Sequence, residues 1–250
     1  MNRFENRVAI VTGGADGLGK GIASKIAFEG GRLALFDINE DLLKQTVIEL
    51  QESGFSVSGH VVDISSEDMV RQAITEVGSI HGKIDIMVNS AGIVGPTSTK
   101  ITEYSTEAFD EIYQVNLKGA FLMTKYVLPQ MEKNNYGRIL LISSISGKEG
   151  NPGMVGYSAT KSGVIGLVKG VGKEYADMGI TVNGIAPAVI KTRMNENTDP
   201  EQLTYMTAKI PMGRMGTIEE VADLSAWIVS DECSFSTGFI FDISGGRATY

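Results

Sequence analysis

Apolar residues follow two alternating patterns along the chain. Short, nearly continuous apolar runs fall at 8–13 (VAIVTG), 32–37 (RLALFD), 55–63 (FSVSGHVVD), 84–90 (IDIMVNS), 138–143 (RILLIS), 180–186 (ITVNGIA) and 239–243 (FIFDI). Several are apolar at consecutive positions, as strands are when a parallel sheet is covered on both faces. Between them, at 18–29, 39–53, 66–80, 106–133, 155–177 and 218–230, apolar residues recur at helical spacing. This alternation predicts an α/β fold, a single doubly wound Rossmann domain over residues 1–250. Its central parallel sheet would have about seven strands flanked by helices. The stretch 188–216 fits neither pattern. It is rich in methionine and polar residues, and so long an insertion late in a compact fold reads as a substrate lid.

Composition narrows the class. Of 250 residues, 42% are hydrophobic and 21% charged, which supports a sizeable core. A net charge of −8 without clustered Lys or Arg argues against a nucleic-acid partner. Cys233 is the only cysteine, and His60 and His81 are far apart, so neither a disulfide framework nor metal-ligand spacing is present. The opening MNRFENRVAI has no signal-peptide apolar stretch, and Lys169 interrupts the most apolar helix before it reaches membrane-spanning length. The expectation is a soluble, cytoplasmic protein with no membrane partner.

Candidate chemistry begins in VAIVTGGADGLGKGIA, a strand, a glycine-rich turn and a helix start. Gly13 permits the tight turn, Gly17 lets backbone approach a pyrophosphate, and Gly19 lets the helix pack close to the sheet. The helix start, with Asp16 and Leu18 between these glycines, offers unpaired N–H groups to phosphates. Asp37, followed by Ile38, closes the second apolar run, where a carboxylate accepts hydrogen bonds from ribose hydroxyls and repels a 2′-phosphate. Two acids and no arginine at these places favour NAD over NADP.

Tyr157 and Lys161 stand one helical turn apart in GYSATKSG. A free phenol, with a pKa of about 10, is a poor base at neutral pH. An ammonium nearby lowers that value, so that the phenol can take a proton from a substrate hydroxyl. With the glycine turn, NSAG at 89–92 and Ser144 thirteen residues before Tyr157, the chain closely resembles the short-chain dehydrogenase/reductase family. The resemblance runs from Arg7 to the closing DISGG.

That resemblance implies roles at matched positions. Asn116, Ser144, Tyr157 and Lys161 match a catalytic tetrad: Ser144 on the substrate oxygen, Lys161 also on the nicotinamide ribose, Asn116 supporting a water chain. Asp63 and Ile64 match the adenine contacts, Asn89, Ala91 and Gly92 the adenosine side, and Pro187, Ile190 and Thr192 the nicotinamide. Ser90 and Ala188 depart from the pattern, the second suggesting an altered backbone path after the sixth strand. The implied reaction interconverts a secondary alcohol and a ketone by hydride transfer to NAD. For the substrate, Lys148, Arg193 and Arg247 are candidate contacts to an anionic group, as in a sugar-derived hydroxy acid, a deoxy-sugar acid or a polyol. A 3-oxoacyl carrier-protein reductase, a hydroxysteroid-type dehydrogenase and a non-catalytic NAD(H)-sensing regulator are alternatives. Gly163, Gly166 and Gly170 form a flat stripe roughly opposite Tyr157 at about 100° per residue, matching the family's self-association through the 106–133 and 155–177 helices, here into a homotetramer.

Overall fold

The computed structural model describes residues 2–192, 200–248 and 250. Its strands are β1 (Val8–Thr12), β2 (Arg32–Asp37), β3 (Val57–Val61), β4 (Ile86–Asn89), β5 (Gly137–Ile142), β6 (Ile180–Pro187) and β7 (Ile240–Ile243). All seven pair in parallel, in the order β3-β2-β1-β4-β5-β6-β7. Strands β1, β4, β5 and β6 are buried at every position, which explains their unbroken apolar runs. The edge strand β3 alternates instead, and is shorter than the run at 55–63 suggests.

Two helical layers cover the sheet. Helices α1 (Gly17–Phe28), α2 (Glu40–Glu52) and the late helix Ile218–Ile228 share one apolar core, through Ile22, Leu43 and Val221. On the other face, α3 (Glu67–His81) packs through Val70 and Ile74 with the helices at Gly119–Glu132 and Val155–Glu174. Strand order reverses between β1 and β4, so loops on either side diverge there and open a crevice at the strands' C-terminal ends.

The predicted helix at 106–133 is not continuous. Helix α4 (Thr106–Ile112) passes into a π-helical turn, Tyr113–Lys118, before α5 (Gly119–Glu132) begins. The wider turn carries Asn116, which is 1% exposed and faces inward. Its Oδ1 accepts from the Ile93 N–H at 2.8 Å and its Nδ2 donates to the Ile93 carbonyl at 2.8 Å, so both halves of the amide hold the backbone of one residue in the loop after β4. An inserted turn at a functional residue is a recurrent use of the π-bulge.

Next come α6 (Ile145–Glu149), α7 (Val155–Glu174), α8 (Pro200–Ala208) and α9 (Ile218–Ile228). The glycine stripe on α7 divides in two. A Cβ at Gly163 would lie 2.6 Å from the Leu117 side chain, so this glycine serves packing within the chain, whereas a Cβ at Gly166 or Gly170 would meet no described residue within 4 Å. In the 188–216 segment, Met206 and Ile210 pack with Met154 and Val189 in a small third cluster beside Tyr157. A bridge from Ile190 to Gly216 ties the segment's two ends together. Ala188 has no left-handed backbone angle, and its N–H reaches the Ile243 carbonyl at 3.0 Å, so alanine is accommodated there without strain.

Candidate active site

A cavity of about 500 Å³ lies over the C-terminal strand ends. Its wall over β1 and β2 is built by the glycine turn. Gly13 has φ +62°, and a Cβ there would press on the Ala91 backbone at 3.0 Å. A Cβ at Gly19 would come within 2.1 Å of the Gly13 carbonyl oxygen, so only glycine lets α1 seat on the turn. Gly17, at φ +56°, has no described residue within 4 Å of its Cβ position and lines the cavity at the start of α1. Asp16 caps that start through its backbone conformation and not through its side chain, leaving N–H groups for phosphate. This cradle fits a dinucleotide.

Asp37 lines the same wall with its carboxylate held at both oxygens: Oδ2 accepts from Ala15 N–H at 3.1 Å and Oδ1 from Asn39 N–H at 3.0 Å. Asp63 is held similarly, its Oδ1 accepting from the Ser65 N–H at 2.8 Å and hydroxyl at 2.7 Å. Asp16, Leu18, Ile38, Ile64, Ala91 and Gly92 also line the cavity. Asn89 does not. It is 3% exposed and accepts from the Thr12 hydroxyl at 3.2 Å, while that hydroxyl accepts from the N–H groups of Ser90 and Ala91 at 3.1 Å each. Asn89 therefore fixes Thr12, and Thr12 fixes the loop that forms the wall. Ser90, the departure from the family pattern, joins this knot through its backbone and leaves it intact.

Over β5 and β6 the cavity wall contains Ser144, Tyr157 and Lys161. Ser144 caps α6, its hydroxyl accepting from the Ser146 N–H at 3.1 Å. Tyr157 lies in the first turn of α7, whose positive end favours an anionic phenol. Lys161, one turn on, donates to the Ile142 carbonyl at 2.8 Å and sits 5.7 Å from the Tyr157 ring centre. Burial draws its ammonium down from 10.5 to about 8. Burial also pushes the Tyr157 phenol up, against a hydrogen bond with Ser144 that lowers it. The expected lowering by Lys161 does not appear in the folded chain; Ser144 supplies the lowering contact, and desolvation outweighs it. Asn116 lies behind the wall instead of lining it; its amide holds Ile93 and also reaches the Thr160 hydroxyl at 3.4 Å, so it positions the loop next to Lys161.

Pro187, Ile190 and Thr192 follow β6 along the wall. Of the two described cations predicted near the substrate, Arg247 lines the cavity and Lys148 does not. Lys148 turns away: its ammonium pairs with Asp242 at 2.9 Å and donates to the Tyr250 carbonyl, so it bonds the tail and is absent from the wall. Arg193 lies outside the described residues. Sequence reading missed Ser146, Asn151, Met154 and Met206, which line the same end of the cavity. Asn151 before a proline looks like a turn former; only the fold buries it, with Nδ2 donating to the Ser146 hydroxyl at 2.6 Å.

Residues 13–248 match the family described as enoyl-(acyl carrier protein) reductase. The chain is 43% identical over 250 residues to a 2-dehydro-3-deoxy-L-rhamnonate dehydrogenase (NAD(+)) of Sphingomonas sp. strain SKA58, covering 99% of this chain and 98% of that one. It is 36% identical to a 3-oxoacyl-(acyl-carrier-protein) reductase of Thermotoga maritima, covering 98% of each. The solved structure of NAD⁺-bound xylitol dehydrogenase superposes with a TM-score of 0.92 at 31% identity, covering 97% of this chain and 99% of that one. Levodione reductase gives 0.93 at 33%, covering 99% and 100%. The chain belongs to the short-chain dehydrogenase/reductase family, and is an oxidoreductase acting on CH–OH groups with a nicotinamide dinucleotide.

Proposed function

We propose that this oxidoreductase uses NAD to oxidise a secondary hydroxyl on a sugar-derived hydroxy acid, the deoxy-sugar acid named for the Sphingomonas relative being the model substrate class. The observation that carries the cofactor choice is Asp37, whose carboxylate is fixed by two backbone N–H groups at the end of β2. So held, it cannot swing aside for a 2′-phosphate. Among the described residues, no basic side chain lines that end of the cavity to compensate. This disfavours the reading as an NADPH-driven 3-oxoacyl reductase.

When bound, NAD supplies the acceptor for the hydrogen and electron pair leaving the substrate carbon. The chain's own residues do the rest. Gly13, Gly17, Gly19 and Asp37 hold the dinucleotide together with Leu18, Ile38, Asp63, Ile64, Ala91 and Gly92. Pro187, Ile190 and Thr192 border its reactive end. Ser144 hydrogen-bonds the substrate oxygen, and Tyr157 takes its proton. Lys161 supplies positive charge beside the phenol, and Asn116 keeps the Ile93 loop in place. The tetrad assembled round one cavity is not what a mere NAD(H) sensor requires. The 188–216 segment would close over bound substrate, its Met206 cluster repacking as it does so.

Self-association through α4–α5 and α7, to a tetramer, and a cytoplasmic setting complete the proposal. Gly166 and Gly170 support the first; no described helix is long and apolar enough to cross a membrane. The test is a screen of sugar acids, polyols and hydroxy acids with NAD⁺ and NADP⁺, read as absorbance of the reduced cofactor. Turnover of sugar acids with NAD⁺ is expected. Preference for NADPH and a 3-oxoacyl thioester would replace this reading.

A further inference from the structure

The cavity is electrically lopsided. Asp16, Asp37, Asp63 and Glu111 are its acidic lining residues, three of them at the ends of β1, β2 and the segment after β3. Among the described residues that line it, only Lys161 and Arg247 are basic. Lys161 is committed to the Ile142 carbonyl beside Tyr157. Arg247 stands at the other end of the cavity, beyond Ser144.

The turn that brings Arg247 there is specific. Gly245 and Gly246 have φ +59° and +88°, angles that side-chain-bearing residues resist, and they fold the chain after β7 back on itself. The Arg247 N–H then bonds the Ser244 carbonyl at 3.2 Å, and the Ala248 N–H bonds the Ser244 hydroxyl at 3.1 Å. The Arg247 side chain ends 2% exposed. Its Nε donates to Glu149 at 3.0 Å and its Nη2 to Asn151 Oδ1 at 3.0 Å. Its Nη1 makes a 3.5 Å contact with the carbonyl of Met206, itself a wall residue, which is at the long limit of hydrogen bonding. A continuous chain of bonds links this guanidinium to the catalytic serine: Arg247 to Asn151, Asn151 to the Ser146 hydroxyl, and the Ser146 N–H to Ser144.

A buried guanidinium is costly; with Nε and Nη2 spent on Glu149 and Asn151, Nη1 is left to make a charge-assisted contact to a carboxylate oxygen. We infer that Arg247 is the residue that selects acidic substrates, binding their carboxylate through its Nη1 edge while Glu149 and Asn151 fix the other edge. The inference rests on the proposed sugar-acid chemistry and adds the residue that would read the acid. Glu149 has a second consequence. Its negative charge offsets that of Arg247, so it orients the guanidinium but weakens its attraction for an incoming anion. Removing that charge should tighten acid binding. A clamp that merely braces the tail would be weakened by the same change.

The test compares wild type, Arg247→Gln, Arg247→Lys and Glu149→Gln on 2-dehydro-3-deoxy-L-rhamnonate and on its carboxamide, with NADH affinity measured by fluorescence. Loss of a charge-assisted contact predicts a fall of about 100-fold in kcat/KM for the acid in Arg247→Gln. That loss should exceed the loss for the carboxamide at least about tenfold, with partial recovery in Arg247→Lys. Glu149→Gln should lower KM for the acid and not for the carboxamide. Equal losses on both substrates, or a raised acid KM in Glu149→Gln, would overturn the assignment and leave Arg247 a brace. Should wild type oxidise no sugar acid at all, the proposed substrate class fails first, a result distinct from failure of the arginine variants.

Discussion

Gly147 of α6 lies against the backbone of Lys161 in α7: a Cβ on the glycine would stand 2.7 Å from the lysine's carbonyl carbon. Two hydrogen bonds close the same seam, from the Ser143 hydroxyl to the Lys161 carbonyl at 2.8 Å and from the Ser162 hydroxyl to the Gly147 carbonyl at 2.6 Å. The contact fixes how far Ser144, at the head of α6, stands from Tyr157. Gly147→Ala should therefore push α6 outward and misplace Ser144. A displacement of about 1 Å can cost on the order of 100-fold in rate, so kcat should fall steeply while NADH affinity holds. Unchanged kcat would show that the seam tolerates a methyl group and does not set the geometry.

Tyr157→Phe removes the proton acceptor and keeps the ring. Turnover of a verified substrate should drop by about 10²- to 10⁴-fold, with NADH binding nearly intact by fluorescence titration. Substantial residual turnover would place the base elsewhere.

Lys161 gives a stability signature. Burial lowers it from 10.5 to about 8, so between those values the folded chain binds fewer protons than the unfolded one. Unfolding free energy should then rise with pH across that window, by at most about 1.4 kcal/mol per unit. Below it, both states carry the charge and this contribution is flat. Lys161→Met has nothing to titrate there. Denaturant unfolding of both proteins at about pH 7.5 and about pH 9.5 should show wild type gaining on the variant at the higher pH. A constant difference would mean that Lys161 is not depressed in the fold.

Asp37→Ala should relax the preference for NAD⁺ over NADP⁺, since the carboxylate both meets the ribose hydroxyls and repels the extra phosphate. The variant also leaves the N–H groups of Ala15 and Asn39 without their acceptor, a loss of about 1 kcal/mol by thermal unfolding. Wild-type preference for NADP⁺ by kcat/KM would remove the basis for this role.

Gly166→Leu isolates assembly from folding. No described residue lies within 4 Å of its Cβ position, so leucine fits against the described part of the lone protomer. If α7 packs across a two-fold axis, the variant should sediment as a smaller species than wild type at micromolar concentration, with its far-UV spectrum retained. Identical sedimentation of variant and wild type would put the interface elsewhere.

What the sequence determined by itself was everything carried by short-range pattern. Strands covered on both faces must be apolar at successive positions, so β1, β4, β5 and β6 were legible. The turn at Gly13, Gly17 and Gly19 depends on backbone freedom that only glycine has, and Tyr157 and Lys161 share a helix face because of helical periodicity alone. Tertiary structure decided the rest, wherever a side chain's role depends on a partner distant in the chain. Lys148 and Arg247 read alike as cations, but Asp242, 94 residues on, draws Lys148 out of the cavity while Glu149 and Asn151 hold Arg247 in its wall. Asn89 and Thr12 exchanged importance because their bond spans the strand-order reversal. Asn116 sits in a π-turn, where its amide meets the Ile93 backbone, and no local preference in the sequence announces that turn. A charge or an amide buried in the fold must find its partner wherever the fold brings one, and sequence spacing does not encode that distance.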